Sequence, residues 1–494
     1  MKGASIDALL LTIVRVITMV MGFVCIKIVS VYFSLESFGL YSQALLIIST
    51  TTSLSILGMT DAVNYFYNNK TLHAKHSSEE YIATIFGLQT FVGIVCGIAI
   101  LAGAPFLTDY FQNSALWSVY GWIAFQPILQ NYISMLQVLY MSAGRARSIV
   151  IINLIISLGR LAIFIAATFV THNIVTILAL TFISDIIQVS YFSWDLHKHG
   201  ISINLKKFNK KICRPILVYA IPMAAFVIIN SLMRDADKWV IGYFASTDDL
   251  AIYTNCSKLL PFDMLTYSFC VVLVPVITRY INTNKEQVAL LYGDYLNIGL
   301  FTTSILVIPA LFLSRDLLLC LYDSKYLPGL LVFIIYLLVD FSRFANVSLL
   351  YSASGKSVQL LRIVIFTFVI NTIGAIILYQ AIGLTGPAIA TLISLWISYI
   401  FYLKGSSNIM GRSVLRLFNV RGWLPIALEC SLMSLIAIYL SSTFMTSWNA
   451  VPRFLLMYTI ITGCTALLNK KKILVLAQSI NKASKYDNNN DLNL

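Results

Sequence analysis

A chain of 494 residues that is 59% hydrophobic and only 11% charged lies outside the range of soluble domains, in which about a quarter of residues are charged. Its formal net charge of +13 does not point to nucleic acid: no basic and aromatic residues interleave on a soluble surface, and the positive charge collects in joints between apolar runs, as in an oriented membrane protein. The eight cysteines form no CxxC pair and lie mostly inside apolar runs, and the five histidines sit in or beside loops without an HExxH, so packing is expected of the cysteines and no metal site of the histidines.

The first apolar run, "LLLTIVRVITMVMGFVCIKIVSVYF" from Leu9 to Phe33, exceeds the ~20 residues that a helix needs to cross a bilayer. It is longer than a signal-peptide core and no small-residue cleavage site follows it, which marks a retained span. In chain order, fourteen segments read as spans: 9–33, 38–66, 81–107, 115–142, 147–170, 173–196, 214–243, 250–278, 291–314, 328–352, 357–381, 383–403, 422–441 and 451–469. The fold class is all-α polytopic membrane protein with 12–14 transmembrane helices.

Orientation follows from the joints. Alternate joints hold Lys70 and Lys75; Arg145 and Arg147; Lys198, Lys206, Lys207, Lys210, Lys211 and Arg214; Arg279 and Lys285; Lys356; Lys404, Arg412, Arg416 and Arg421; and the lysines at 470–472. The intervening joints are nearly bare, with Glu36, Asp109, Asp248 and Asp249, and one mixed loop with Arg315, Asp316, Asp323 and Lys325. This alternation from end to end places both termini in the cytoplasm. The longest joint, "LHKHGISINLKKFNKKICRP", is an orienting, solvated connector whose lysines can also rest on anionic headgroups. The tail "SKYDNNNDLNL" has the composition of a disordered segment.

An internal repeat divides the chain. "VSVYFSLESFGLYSQALLI" (Val29 to Ile47) is similar to "VIGYFASTDDLAIYTNCSKLL" (Val240 to Leu260), and "LYMSAGRA" (Leu139 to Ala146) to "LYSASGKS" (Leu350 to Ser357). Tyr32 matches Tyr243 and Gly144 matches Gly355, both at an offset of 211 residues. Six spans separate the copies, an even number, so the halves enter the membrane in the same direction; parallel repeats of this kind handle substrate between them. The expected organisation is an N-terminal lobe over 1–196, a basic connector over 197–213, a C-terminal lobe over 214–403, two extra helices over 404–469, and a cytoplasmic tail over 470–494.

Two motifs are set aside. "SASGKS" lacks the first glycine of a phosphate loop and follows a span, so Gly355 reads as a helix C-cap. "DAD" (Asp235 to Asp237) lies within a helix between Arg234 and Lys238, cations that would compete with a metal.

The charges inside spans are the candidate site, because each costs roughly 2.5–3.5 kcal/mol at mid-bilayer on insertion scales. Arg234, Asp235, Asp237 and Lys238 share about half a helix circumference, with Asp235 in reach of Lys238 and Arg234 in reach of Asp237. They form either a self-neutralising salt-bridge cluster or one wall of a hydrated cavity. Arg15, Lys27, Arg160 and Arg343 are further cations in spans; Asp61, Asp185 and Asp340 are the matching acids. Lys258, Asp263, Arg362 and Glu429 lie nearer span ends, from which they can snorkel. A slight cationic excess suits an amphiphile with an anionic head, such as a lipid pyrophosphate.

The segments "YFSLESFGLYSQALLI", "RDADKWVIGYFASTDDLAIYTNCSKLL" and "SAGRA" match a family pattern of an aspartate before "IGxF", a polar turn and "xxYxxA". By these the chain resembles the polysaccharide-unit flippases (Wzx type) of the multidrug/oligosaccharidyl-lipid/polysaccharide exporter superfamily, through the twelfth span. The resemblance implies two six-helix lobes around a central cavity. It also implies alternating access that moves an undecaprenyl-pyrophosphate-linked repeat unit from the cytoplasmic to the outer leaflet of the bacterial inner membrane. Coupling would be to H+ or Na+, with no bound cofactor and no enzymatic step. Arg15, Lys27, Arg234 and Lys238, then Arg160 and Arg343, would meet the substrate, and Asp61, Asp185, Asp235, Asp237 and Asp340 would couple ions or pair structurally. The partners implied are the lipid-linked oligosaccharide, membrane lipids, and polysaccharide polymerase and chain-length proteins. A multidrug exporter of the same fold and a membrane sugar polymerase or acyltransferase remain as alternatives. The first calls for an acidic cavity; the second for a catalytic constellation near the interface, which is not evident.

Overall fold

The computed structural model describes the backbone of residues 2–69, 76–281 and 283–490; side chains are not described at 2–13, 15, 16, 146, 147, 226, 265, 271, 272 and 481–490. Lys70 and Lys75, and the side chains of Arg15 and Arg147, therefore lie outside the described residues. Among the described residues every regular element is helical. The protein is a multi-pass, all-α membrane protein.

The described residues form two compact units, 1–252 and 253–494. The first contains α1 (Lys2–Tyr32), α2 (Leu35–Ser55), α3 (Met59–Asn68), α4 (Ser78–Ala102), α5 (Ala104–Tyr110), α6 (Tyr120–Ile123), α7 (Gln126–Ser142), α8 (Ala146–Ala166), α9 (Ile174–Lys198) and α10 (Lys210–Phe244). α11 (Thr247–Cys256) follows, across the end of that unit. The second unit continues with α12 (Met264–Tyr280), α13 (Lys285–Phe312), α14 (Ser314–Leu321), α15 (Leu330–Ser342), α16 (Leu349–Ala353), α17 (Ser357–Ile382), α18 (Gly386–Met410), α19 (Val420–Phe444) and α20 (Ala450–Asn490). The repeat boundary read from sequence lies before α10; the first compact unit ends after it.

By length and composition, nine helical stretches among the described residues can cross a bilayer, and eleven if each of two bent pairs is one span. One of the nine, Ser357–Met410, turns back at Gly383, where φ is +66°, so that α17 and α18 pack side by side. Gly386 permits that approach, since a Cβ there would lie 2.3 Å from the backbone of Leu378. All fourteen expected segments are largely helical, and two of them bend sharply. The 38–66 segment bends by 41° between α2 and α3, and the 250–278 segment by 52° between α11 and α12. These are the second spans of the two repeat copies.

The repeat is repeated in detail at the turns. Gly144 and Gly355 both take left-handed φ, +74° and +68°. The N–H of Arg145 donates to Tyr140 O (2.9 Å) and that of Lys356 to Tyr351 O (3.0 Å), the 6→1 bond of a glycine-capped helix end. The Tyr140 hydroxyl then lies 3.3 Å from Phe192 O, as the Tyr351 hydroxyl lies 3.2 Å from Phe401 O, but Tyr140 donates at the shorter distance of 2.7 Å to Asp195 Oδ2.

Two expectations are modified. The basic connector is docked rather than free: Lys207 pairs with Glu79, Asn209 donates from its backbone N–H to Thr84 Oγ1 and from Nδ2 to Glu80 Oε2, and Phe208 covers Gly87. The segment expected to be a disordered tail is helical to Asn490; no glycine or proline follows Gly463 to stop α20, and Ile480 is buried against the core formed by α12, α13 and α18.

Candidate functional site

α10 has 35 residues, about 52 Å of helix at 1.5 Å per residue. Its N-terminus is capped by Asn209, whose Oδ1 accepts the Lys211 N–H. Small residues let it lie close to the other helices of its unit: Ala220 meets Gly58, and Gly242 meets the ring of Phe111. Trp239 Nε1 donates to Thr50 Oγ1 of α2 (3.0 Å), and the Tyr110 hydroxyl donates to Trp239 O (2.8 Å). These contacts fix the rotation of α10 around its charges.

Lys238 Nζ lies 2.8 Å from Asp235 Oδ1, the i,i+3 pair expected from helix geometry. Ser49 of α2 donates to Asp235 Oδ2 at 3.4 Å. Asp235 and Asp237 are 5% and 1% exposed. Arg234 sits at 3.7 Å from Asp235, beyond hydrogen-bond range, and its side chain is 57% exposed. Burying a carboxylate without a partner is costly, while a paired one is tolerated. Lys238 and Ser49 meet that cost for Asp235, which leaves the Arg234 guanidinium turned outward.

The same arrangement recurs twice. Asp185 of α9 is fully buried; it accepts from Gln126 Nε2 of α7 at 2.6 Å and pairs with Arg160 of α8 at 3.2 Å, whose side chain is 47% exposed. In the second unit Asp340 of α15, also buried, accepts the Leu260 backbone N–H at 2.8 Å. Arg343, one turn on, lies 3.6 Å from Asp340 and 2.8 Å from Asp263. In each case a buried carboxylate steadies a more exposed cation.

Asp61 is half-buried in the first turn of α3, and Lys27 half-buried on α1. Glu429 accepts from Asn469 Nδ2, and Arg362 is exposed. Among the described residues no three His, Cys, Asp or Glu side chains converge to hold a metal. The neutral members of these clusters, Ser49, Thr50 and Gln126, were missed in the sequence. The signal was present in the run "STTTS" (Ser49 to Ser53), five hydroxyls inside an otherwise apolar span.

The sequence profile of the family described as "Polysaccharide biosynthesis protein" matches residues 28–330, more than half of the chain. The chain belongs to the polysaccharide biosynthesis protein family. Comparison with curated protein sequences gives no match. Among solved structures, this family member is similar to "Lipid II flippase MurJ, inward closed conformation", with TM-score 0.72 and 15% identity over 94% of this chain and 100% of that one. It is also similar to the inward-facing "multidrug resistance MATE family transporter of the MOP superfamily", with TM-score 0.64 and 14% identity over 80% of this chain and 96% of that one. A third similar structure is an outward-facing conformation under the same description, with TM-score 0.53 and 15% identity over 83% of this chain and 96% of that one. At these identities the likeness establishes the fold alone, which this chain shares with that flippase and those transporters.

Proposed function

We propose that this polysaccharide biosynthesis protein is a flippase. It moves an undecaprenyl-pyrophosphate-linked oligosaccharide from the cytoplasmic to the outer leaflet of a bacterial inner membrane by alternating access, with both termini cytoplasmic, and supplies surface polysaccharide such as O-antigen or capsule. The family membership and the flippase-like fold support a lipid-linked substrate. The observation that carries the substrate chemistry is the exposed Arg234 guanidinium beside a carboxylate already held by Lys238: it offers a diphosphate a charge-assisted, bidentate partner. Arg160, Arg343, Arg15 and Lys27 serve the same headgroup elsewhere on its path. Asp61, Asp185, Asp235, Asp237 and Asp340 couple the movement to H+ or Na+, or brace those cations. The translocated unit passes to polymerase and chain-length proteins.

A multidrug exporter of this fold would need an anionic face for cationic drugs, whereas the exposed members of the first two clusters are cations, Arg234 and Arg160. Replacing Arg234 by alanine is expected to abolish surface polysaccharide while the protein stays in the membrane, with lipid-linked oligosaccharide accumulating on the cytoplasmic leaflet; normal polysaccharide at normal protein levels would sink the reading. In reconstituted vesicles Asp235→Asn and Asp237→Asn should change the pH or sodium dependence of flipping, and an unchanged dependence would reduce both to structural partners.

A further inference from the structure

Unit 1 carries a second row of polar side chains, and it is uncharged. On α7, Gln130, Ser134 and Gln137 recur at helical spacing and are half-buried; on α8, Asn153 and Ser157 do the same, and the next residue in that row is Arg160. The rows face each other, since Gln137 Nε2 donates to Asn153 Oδ1 at 3.3 Å. α2 closes the side, with Thr52 donating to Gln130 Oε1 at 3.1 Å. From Gln126, which holds Asp185, to Gln137 is eleven residues, about 16 Å of rise.

Amides at membrane depth commonly join helices, and that reading has a built-in control. At the repeat offset of 211, Asn153 and Ser157 of α8 become Val364 and Phe368 of α17 in the second half. α17 is therefore a continuous helix without an amide or hydroxyl at these two positions, so a span in this place does not demand them. Each glutamine also has capacity to spare: a side-chain amide offers two donors and two acceptor lone pairs, and one cross-helix bond uses a fraction of that. Among the described residues, the Ser134 and Ser157 hydroxyls bond to the carbonyls of Gln130 and Asn153 on their own helices, which joins no two helices.

We propose that this lane on α7 and α8 binds the saccharide of the lipid-linked substrate, with Gln130, Ser134, Gln137, Asn153 and Ser157 as specificity-determining residues. Paired donors and acceptors without charge match vicinal sugar hydroxyls, and Arg160 at the end of the α8 row takes the diphosphate to which the sugar is attached. The lane thus sorts cargo by sugar, and the cations hold what all such cargoes share. The assignment rests on the flippase reading.

The test uses full-length protein in proteoliposomes and two fluorescent probes: a sugar-free polyprenyl diphosphate, and one bearing an oligosaccharide. Gln130→Leu with Gln137→Leu, and separately Ser134→Ala with Ser157→Ala, are compared with wild type. The serine pair is chosen because its bonds do not join helices, so it reports even if the glutamine pair misfolds. The expected result is an oligosaccharide-probe rate reduced about tenfold, the scale of one or two lost hydrogen bonds, with the sugar-free probe moved at the wild-type rate. Equal loss with both probes assigns the residues to packing and overturns the proposal, as does no loss with either. If wild type moves neither probe, the flippase reading itself fails, an outcome distinct from those.

Discussion

The second span of each repeat copy is broken, and the two breaks are built from different chemistry. In unit 1 the chain turns through Leu57 and Gly58, both in the left-handed region with φ of +44° and +70°. The freed groups are met by neutral amides: Gln89 Nε2 donates to Ser55 O at 3.1 Å, and Asn131 Nδ2 to Ser55 Oγ at 2.8 Å. The break in unit 2 contains no glycine. Leu260 is extended ahead of Pro261, as the proline ring requires of its predecessor, and charge does the rest. Asp340 accepts the Leu260 N–H, and Arg343 spans Asp340 and Asp263. Asn131 and Asp340 both come from the fourth span of their copy. A repeat can thus keep a bend while exchanging its bracing, because a broken helix in a membrane requires only that its backbone groups find partners.

The sharpest way to separate the two designs is at Asp340. Asp340→Ala strips both the acceptor of the Leu260 N–H and the carboxylate beside Arg343, and is expected to cost about 3–5 kcal/mol, the scale for breaking a buried pair. Asp340→Asn keeps an acceptor and should lose less. Thermal unfolding in detergent reads both, and equal, small shifts would show that the second break does not rest on charge. The corresponding weak point of unit 1 is backbone. Gly58→Ala places a methyl 2.3 Å from the Ala220 carbonyl oxygen at a left-handed φ, and strain plus overpacking should cost about 3 kcal/mol. A neutral outcome in the same melt would mean that α10 does not lean on this break.

The sequence was a good guide to what repeats locally and a poor one to what closes over distance. Span positions and the 211-residue offset were legible because apolar length and turn glycines are local signals. Asp235 with Lys238, and Asp340 with Arg343, were legible because three residues of helix bring them together. Arg160 with Asp185 and Arg343 with Asp263 were not, since 25 and 80 residues separate the partners. The breaks were hidden because apolar length dominates 38–66 and 250–278 despite the local breakers Gly58 and Pro261, and the side chains that meet the opened groups, Gln89, Asn131 and Asp340, lie on other spans. Neutral amides and hydroxyls were passed over because a charge search does not see them, and they make up both the first break and the lane beside it.

Two smaller effects complete the comparison. Asn131→Ala should cost about 1–2 kcal/mol, a neutral hydrogen bond and its unmet partner, clearly less than Asp340→Ala; a loss as large would erase the contrast between amide and charge bracing. The last pair tests the part of the repeat that has not diverged. Gly144 and Gly355 close the same turn with the same 6→1 bond, and a Cβ at either would meet nothing within 4 Å. Alanine at each therefore carries only the left-handed backbone penalty, about 1 kcal/mol. The two variants should shift the melt by equal amounts and, lying in separate units, the double variant by their sum. Unequal shifts would show that one turn is held by contacts the other lacks. The Arg145–Asp195 pair at 2.7 Å is the place to look. Counted from Phe192 and Phe401, the position of Asp195 is taken in unit 2 by Lys404, and a turn tied down by that pair has less freedom to relax around an added methyl.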